Sequence, residues 1–559
     1  MGEKCDHSGP YVIKVSGTVQ SDASESSQNV ATHDRSNTQQ NNADNTAKPT
    51  APPLNQILLK PSKEMAKVKK RICFMIIAAL ICVATGIYGI ILWPGFFHSI
   101  LTNQLVLSPT SMSHLMWRKT PVPMYLKIYL YNWTNSEDLS KSNVKPHFQQ
   151  MGPYVFREVD TKVNQIWDEY LTTLTYQQKR EWYFEPEMSN GTLKDKVTNL
   201  NPISATIGYM VRSNSTVRKW IANNLLKYSE KITITKTVKQ LLFDGYDDIL
   251  LDLAAKVKFD LPFEKFAWFY ARNGSETYDG LFSIFTGSDD FNSLGFLKEW
   301  NHDSVSPKFS KTCGRIKGTV GDLWPPLTYN DTISVFSPDV CTTISLKEDG
   351  TSEWLGVTGK RFSSDPSMFD NGTEVPSRKC YCQSVECQPS GTLNVSNCKF
   401  GAPAFVSLPH FYLADKSYRQ KIDGMNPNKE DHQFTLLIEP DTGIPIQVRA
   451  ALQINFLVRP YDGLSYFDKF SEMYVPMLWF TQDVNLTSDV VSQVKLLKIL
   501  PTAGNGLLGF IIGIGVFLVV LSGIMYFRQK VRDEQNDILI PKDGRRRDGG
   551  IDVADINEE

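Results

Sequence analysis

Cysteines are the most distinctive group of reactive side chains in this 559-residue sequence. Six of the nine fall in one stretch of the chain, at Cys313, Cys341, Cys380, Cys382, Cys387 and Cys398. An even set of this kind is typical of disulfides formed in an oxidising compartment. The run CYCQSVEC also places three thiols close together, but it lacks the paired Cys-x2-Cys spacing of a zinc site. Disulfides are the favoured interpretation, although six cysteines allow 15 pairings and spacing alone selects none of them.

Asparagines in the acceptor pattern Asn-x-Ser/Thr form a second chemically meaningful group. The pattern starts at Asn132, Asn190, Asn214, Asn273, Asn330, Asn371, Asn394 and Asn485. All eight sites lie between two long apolar runs, whereas the Asn-rich amino-terminal tail has none. Because this pattern marks glycosylation of segments on the secretory side of a membrane, the segregation predicts that the middle of the chain lies outside the cell or in an organelle lumen.

Catalytic patterns are missing from the sequence. No histidine lies in an HExxH motif, and the chain has neither a GxSxG nucleophile elbow nor a Walker A loop. His410 and His432 are more simply explained as structural residues than as catalytic ones. We therefore expect no enzyme activity and no cofactor. The net charge of -1 argues against a nucleic-acid partner, which would require a basic surface.

Two uncharged apolar runs, at residues 72–93 and 507–527, would hold the central part at a membrane. At 1.5 Å per residue, each is long enough to cross a hydrocarbon core of ~30 Å as a helix. Basic residues flank the outer ends of both runs, at Lys67, Lys69, Lys70, Arg71, Arg528, Lys530 and Arg532. The positive-inside rule then predicts that both chain ends are cytosolic, with residues 94–506 on the other side.

The two ends of the chain are polar. Residues 1–71, before the first run, have few large apolar side chains and are predicted to be mostly disordered, and residues 528–559 form a second cytosolic tail. The segment DEQNDILI in that tail resembles an acidic dileucine sorting signal, with a chance match as the alternative. In the second run, the Gly509-x-x-x-Gly513 pattern allows two helices to approach closely, so a homo-oligomer is one hypothesis.

The central part mixes strand and helix patterns. MYLKIYLYN, from Met124, has the composition of a strand, and residues 433–458 predict two strands joined by a turn near Pro440 and Gly443. Val217, Trp220, Ile221, Asn224 and Tyr228 have helical spacing, and a second helical stretch is interrupted at Gly245. These patterns predict an α+β domain in which helices pack on an antiparallel sheet.

Several long motifs carry a specific resemblance. They are MGPYVFRE, GDLWPPL, VFSPDVC, CYCQSVECQPSGTLNVSNCKFGAPAFVSLPHFYLA and IDGMNPNKEDHQFTLLIEPDTG, in this order along the chain. With them the sequence closely resembles the class B scavenger receptors, a family that includes the fatty-acid translocase and a lysosomal integral membrane protein. The resemblance covers about residues 68–527, and the chain is identified as an insect-type member.

The resemblance implies an antiparallel β-barrel ectodomain with a helical-bundle cap, at about residues 202–248, flanked by two transmembrane helices. It also implies the cysteine pairing Cys313–Cys380, Cys341–Cys398 and Cys382–Cys387. In that family the barrel encloses an apolar tunnel that leads from the cap toward the membrane. The implied function is a receptor that binds lipids or lipoprotein particles and passes a carotenoid, sterol, fatty acid or phospholipid to the membrane.

The resemblance also makes the cap the receptor surface. Arg218, Lys219, Lys227 and Lys231 would present positive charge to an anionic headgroup there. The alternative is a solvated basic helix face, with Trp220 packed inside the bundle. For the whole protein, the alternatives are an endolysosomal sorting receptor for a luminal protein and a sensory pheromone co-receptor. The plasma membrane is the expected location, with the lysosomal or endosomal membrane as the alternative.

Overall fold

The computed structural model describes residues 60–140, 144–229, 231–256, 264–310, 312–327, 332–382 and 387–539. The helices are α1 (Lys60–Leu105), α2 (Met112–Arg118), α3 (Pro202–Val211), α4 (Thr216–Leu226), α5 (Ile249–Lys256), α6 (Ser417–Gln420), α7 (Lys429–His432) and α8 (Ser488–Leu539). The predicted sequon at Asn330, most of the amino-terminal tail and the end of the carboxyl-terminal tail lie outside the described residues.

The strands of the described chain are fifteen. They are β1 (Met124–Trp133), β2 (Phe148–Trp167), β3 (Thr173–Phe184), β4 (Lys196–Leu200), β5 (Thr233–Thr237), β6 (Leu281–Phe285), β7 (Leu297–Trp300), β8 (Thr332–Ser337), β9 (Thr342–Trp354), β10 (Val357–Ser363), β11 (Thr392–Asn394), β12 (Ala404–Ser407), β13 (Thr435–Ile438), β14 (Pro445–Val458) and β15 (Met473–Asn485). The predicted strand at Met124 and the predicted strand pair of residues 433–458 are thus confirmed as β1, β13 and β14.

Thirteen of these strands form one sheet, and β4 pairs with β5 in a separate ribbon. The order along the large sheet is β7-β6-β3-β2-β1-β15-β14-β13-β10-β9-β8, with β12 attached to β14 and β11 to β12. All the strand pairs are antiparallel. The first and last strands lie side by side, with Met124 opposite Val484. Along the chain, the sheet is therefore entered at β1, after α1, and left from the neighbouring strand β15, just before α8.

The segment at Gly318 and Thr319 closes most of the gap between the two edge strands. The N–H of Leu297 on β7 donates to the carbonyl of Gly318 (2.8 Å), and the N–H of Phe336 on β8 donates to that of Thr319 (2.8 Å). Gly318 has φ +76°, and a Cβ there would lie 1.9 Å from the carbonyl oxygen of Ser334, so only glycine fits. The result is the nearly closed antiparallel barrel that the resemblance implies.

The cap consists of α3, α4 and α5, packed over one end of the barrel. Helix α3 begins where the side chain of Asn201 accepts the N–H groups of Ile203 and Ser204, and nearly all of its residues are buried. The second predicted helical stretch is broken at Gly245, whose φ is +76°, and α5 follows it. The third cap helix therefore ends at Lys256, beyond the expected boundary near residue 248.

Helix α4 is oriented differently from the expected packing. Its buried residues are Ala222, Leu225 and Leu226. Trp220 is 68% exposed and Val217 67% exposed, so the idea that Trp220 packs inside the bundle is wrong. The apolar residues at helical spacing lie on the outer face because two leucines and a small alanine already fill the contact with α3 and α5.

The terminal helices α1 and α8 are long and apolar enough to cross a membrane, and they pack on each other. Glycines make this contact possible. A Cβ on Gly86 would lie 2.4 Å from the side chain of Ile512, and one on Gly515 would lie 2.7 Å from Val83. By contrast, apart from the neighbouring backbone of α8 itself and the two adjoining residues, no atom of the described residues lies within 4 Å of a Cβ built on Gly509 or Gly513. The hypothesis of self-association through these two glycines stays a prediction.

The sequon asparagines differ in exposure. Asn190, Asn273 and Asn485 are exposed, and Asn132 and Asn214 are partly so. Asn371 and Asn394 are only 9% and 5% exposed. The amide nitrogen of Asn371 already donates to the carbonyl of Gln388, and Asn394 lies within strand β11.

We expect glycans at Asn190, Asn273 and Asn485 of the mature protein, and none at Asn394. A glycan at Asn394 would prevent the pairing of β11 with β12, where Asn394 lies opposite Phe405. Glycopeptide mass spectrometry of protein collected from the cell surface checks this distribution. Stoichiometric occupancy of Asn394 in folded protein would contradict it.

Candidate functional site

A cavity lies between the cap and the inside of the barrel. Its volume is about 170 Å³. Cap residues Ile203 and Leu251 line it on one side, and strand residues line it on the other, together with the aromatic segment around Trp268. At its far end the lining reaches Gln482 on β15, three residues before that strand ends at Asn485. The cavity thus extends from the cap toward the side of the barrel where α8 begins.

Alternate residues of two central strands supply much of the apolar lining. These residues are Leu452, Ile454 and Phe456 on β14, and Leu478 and Phe480 on β15. Successive side chains of a strand point to opposite faces, so each strand contributes every second residue. The period of two was the only sequence signal for this lining, and it does not say which of the two sets faces inward.

An ionic cluster forms one wall of this mainly apolar cavity. The guanidinium of Arg272 contacts Asp339 (Nη1 to Oδ1, 2.8 Å) and Asp279 (Nη2 to Oδ1, 2.8 Å). Asp279 also lies 3.4 Å from Nε of Arg180. Lys399 is held more loosely, with Nζ 3.8 Å from Oδ1 of Asp339. Arg180, Arg272, Asp339 and Lys399 all line the cavity. Sequence reasoning missed this cluster because no spacing pattern connects its members.

Burial and neighbouring charges shift the pKa values in the cluster. Burial raises the pKa of Glu158, which lies 3.6 Å from Arg180 and would otherwise be held ionised by it. Burial lowers the pKa of the Lys399 amine, although Asp339 opposes this shift. Burial disfavours the charge on Asp339, but Arg272 and Lys399 outweigh it and hold the pKa of that carboxyl low. The wall is therefore polar and nearly charge-balanced, and it can accept the polar end of a ligand.

His410 and His432 belong to a buried network around Trp479, whose side chain points to the face of β15 opposite the cavity-lining Leu478 and Phe480. Their rings are stacked with centroids 4.5 Å apart. Nδ1 of His410 accepts the N–H of Asn426 (3.0 Å), and its Nε2 lies 2.7 Å from Oε1 of Gln150. Nδ1 of His432 accepts the N–H of Asn428 (2.9 Å). The two rings hold loops together as neutral imidazoles, which suits a structural role.

The histidine pair makes the fold sensitive to acid. Burial lowers the pKa of His410 to about 3 and that of His432 to about 4. Below pH 6.5 the unfolded chain binds protons that the folded chain cannot bind, so stability falls as pH falls. We expect each histidine to cost about 2 kcal/mol of unfolding free energy between pH 7 and pH 5, at 1.36 kcal/mol per pH unit.

Denaturant unfolding of the detergent-solubilised chain at pH 7 and pH 5 measures this effect. The variant His432→Gln provides the comparison, because it removes one titrating group and retains an acceptor near Asn428. Its stability should fall about 2 kcal/mol less over this interval. An unchanged pH dependence would show that His432 is not kept neutral by the fold.

The six clustered cysteines meet in pairs. The structure joins Cys313 with Cys380, Cys341 with Cys398 and Cys382 with Cys387, with Cα atoms 5.7, 5.9 and 5.1 Å apart. The second of these bonds lies beside the cavity, since the cavity residues Val340 and Lys399 are adjacent in sequence to its two cysteines and Asp339 is two residues from Cys341. Disulfides thus fix the loops that carry part of the ionic wall.

The four basic cap residues are distributed rather than gathered into one cluster. Lys219 contacts Asp462 (3.4 Å), and its side chain is only 14% exposed. Lys231 pairs with Glu137 (2.8 Å), and Lys227 donates to Asn224 (3.1 Å). Arg218 is exposed on α4. The structure places an apolar residue, Trp220, among them on the outer face.

Comparisons with known proteins agree with this architecture. Residues 76–526 match the model of the CD36 family. Protein peste of Drosophila melanogaster is 34% identical over 451 residues, which cover 79% of this chain and 80% of the relative. Scavenger receptor class B member 1 of Cricetulus griseus is 29% identical, with 81% of this chain and 89% of the relative covered. Lysosome membrane protein 2 of Mus musculus is 31% identical, with coverage of 71% and 82%.

The family match covers residues 76–526, which include most of both apolar runs, the barrel and the cap, and it confirms the resemblance that the motifs carry. A family model that covers most of the chain, together with relatives matched over most of their own length, leaves one assignment. The chain is a member of the CD36 family.

Proposed function

We propose that this protein is a scavenger-type membrane receptor that takes up a lipid at the cap and passes it through the barrel toward the membrane. The observation that carries the proposal is the cavity, which is lined by both cap and barrel and extends to Gln482 near the start of α8. Similarity to a scavenger receptor supports the receptor role.

The energetics favour such a path. Exposing apolar surface to water costs ~25 cal/mol per Å², so a lipid leaves a carrier slowly when it must cross water. A cavity lined by Leu452, Ile454, Phe456 and Phe480 replaces that water with apolar contacts. The lipid then moves down its own concentration gradient, and no nucleotide or ion is needed. Candidate cargoes are carotenoids, sterols, fatty acids and phospholipids.

We further propose that both chain ends lie in the cytosol and that the barrel faces the cell exterior or an organelle lumen. The basic residues at the outer ends of the two apolar runs, which lie inside α1 and α8, and the confinement of sequons to the region between these runs support this orientation. Epitope tags at either end should then be reached by antibody only after permeabilisation.

Extraction of the purified full-length protein tests the proposal. We expect organic solvent to release a co-purified hydrophobic molecule, identified by mass spectrometry, in near-stoichiometric amount relative to the chain. Exchange with a radiolabelled long-chain fatty acid or sterol then gives the preference between them. Protein that retains no lipid from cells and binds neither probe would overturn the proposed function. The matched comparison is Ile454→Trp, which fills the cavity and should lower the amount released.

A further inference from the structure

Exposed apolar residues occupy two hairpin turns at the end of the barrel from which α1 and α8 depart. Leu355, in the turn between β9 and β10, is 50% exposed. Tyr170 and Leu171, in the turn between β2 and β3, are 77% and 38% exposed. Single exposed apolar side chains are common on proteins. The backbone conformation of Leu171 and Leu355, together with the position of all three residues, sets them apart.

Leu355 sits where a leucine is unfavourable in water. Trp354 and Val357 face each other across the hairpin, so only Leu355 and Gly356 connect the strands. Their φ angles are +48° and +81°. Turns with both central residues in the left-handed region favour Asn-Gly, and a leucine there is strained. Leu355 is also 50% exposed, so half of its surface is not covered by other parts of the described protein.

The turn between β2 and β3 has the same combination. Leu171 has φ +56°, in the region where glycine or asparagine is usual. The carboxylate of Asp168 fixes the turn, since it accepts the N–H of Thr173 (2.6 Å) and the hydroxyl of Thr172 (2.8 Å). The turn is therefore well ordered, and it directs Tyr170 and Leu171 outward.

Both turns lie next to the helices that are long enough to span a membrane. The indole of Trp354 donates to the carbonyl of Leu486 (3.0 Å), and a Cβ on Gly356 would lie 2.7 Å from Nζ of Lys495 on α8. The carbonyl of Leu171 accepts the hydroxyl of Thr286 (2.6 Å). The carbonyl of Thr286 in turn accepts the N–H of Leu107, two residues after α1 ends.

The length of the uncharged part of α8 sets the position of these turns relative to the bilayer. Residues 499–527 carry no charge, and at 1.5 Å per residue they match the ~40–45 Å of a bilayer with its headgroup layers. Lys495 and Lys498 then lie at the outer edge of the headgroups. Leu496 and Ile499, 57% and 59% exposed, continue the apolar helix surface up to that level.

We infer that Tyr170, Leu171 and Leu355 form an apolar rim that inserts into the headgroup region of the same membrane that α1 and α8 enter. The partner is the phospholipid surface itself. Amphipathic and apolar side chains are stable at this boundary, and their insertion offsets the strain of the two left-handed leucines. The rim holds the barrel against the bilayer, so the lower end of the cavity stays near the lipid. The inference requires only membrane anchoring and does not depend on the proposed function.

A fluorescent depth measurement on the full-length chain tests the rim. Cys5, Cys73 and Cys82 are replaced, and a single new cysteine is introduced by Leu355→Cys, Tyr170→Cys or Glu169→Cys and labelled with the dye NBD. The labelled chain is placed in phosphatidylcholine nanodiscs with or without a spin label near the headgroup end of the acyl chain. Trp220→Cys, on the exposed cap face, is the matched control.

We expect the spin-labelled lipid to quench the dye at residues 355 and 170 several-fold more than the dye at residue 220. The emission maximum of the dye at the two rim positions should also lie to the blue of the emission maximum of the dye at residue 220, which is exposed to water. Glu169 is exposed and polar, so its variant reports the β2–β3 turn even if Tyr170→Cys fails to fold. Quenching at the rim positions no greater than at the cap would overturn the inference.

Discussion

Replacing Ile454 with tryptophan is expected to abolish lipid uptake while ligand capture at the cell surface persists. Ile454 lies on β14 with its side chain lining the cavity between the cap and Gln482. An indole at this position occupies space that a lipid chain would otherwise use. The cap surface around Trp220 is remote in sequence and lies on the outer face of α4, so it remains available to a particle. Uptake and binding should therefore separate in this single variant.

The decisive measurement records ligand binding and lipid uptake in the same cells, normalised to surface expression. Ile454→Leu is the matched control, because it conserves volume and should leave both quantities near their original values. Trp220→Ala supplies the opposite pattern if the cap captures ligand, with both quantities reduced together. Loss of binding and uptake together in Ile454→Trp, or loss of neither, would contradict a path through the barrel.

Removing the Cys341–Cys398 disulfide is expected to impair export of the protein far more than removing Cys382–Cys387. The two bonds close separations of 57 and 5 residues. In the chain-entropy view, a loop of the first size is worth about 4 kcal/mol and one of the second about 2 kcal/mol. The longer bond also lies next to Asp339 and Lys399 of the ionic wall, so its loss would loosen a wall of the cavity.

Both cysteines of a bond are replaced by serine in each variant, so that neither variant is left with the unpaired thiol of a broken disulfide. The variant Cys341→Ser with Cys398→Ser should remain in the endoplasmic reticulum, with glycans sensitive to endoglycosidase H. The variant Cys382→Ser with Cys387→Ser should reach the surface in larger amount. Equal surface levels of the two variants would contradict the predicted order of the two disulfides and the entropy argument on which it depends.

The elements of the barrel could be predicted where the composition was unambiguous. Aromatic and branched residues from Met124 predicted β1, and Pro440 with Gly443 predicted the turn between β13 and β14. The inward face of β14 could not be predicted. Gln453 and Asn455 alternate with the cavity-lining residues and suggest a solvent-facing side, yet both are fully buried. They are satisfied by tertiary contacts, since Gln453 accepts the hydroxyl of Tyr131 and Asn455 donates to Ser407.

Two other features, the orientation of cap helix α4 and the ionic wall of the cavity, could not be predicted from the sequence. The periodic apolar residues of α4 were expected to pack inward, but Ala222, Leu225 and Leu226 provide the contact instead. A helix with apolar residues on both sides has no unique inward face until its neighbours are known. The wall depends on tertiary structure alone, because Arg272, Asp339 and Lys399 come from three separate loops.

The pairing of the first strand of the barrel with the last has a consequence for biosynthesis. The hydroxyl of Tyr131 on β1 donates to Gln453 on β14, across 322 residues of chain, and β15 lies between these strands. Such long-range contacts give the domain a high contact order, which slows folding. At ribosomal rates of 5–20 residues per second, roughly 15–65 s separate the synthesis of these two residues. Because β15 is synthesised after β14, the edge of β1 that pairs with β15 stays unpaired for at least that interval, and an unpaired strand edge is open to aggregation.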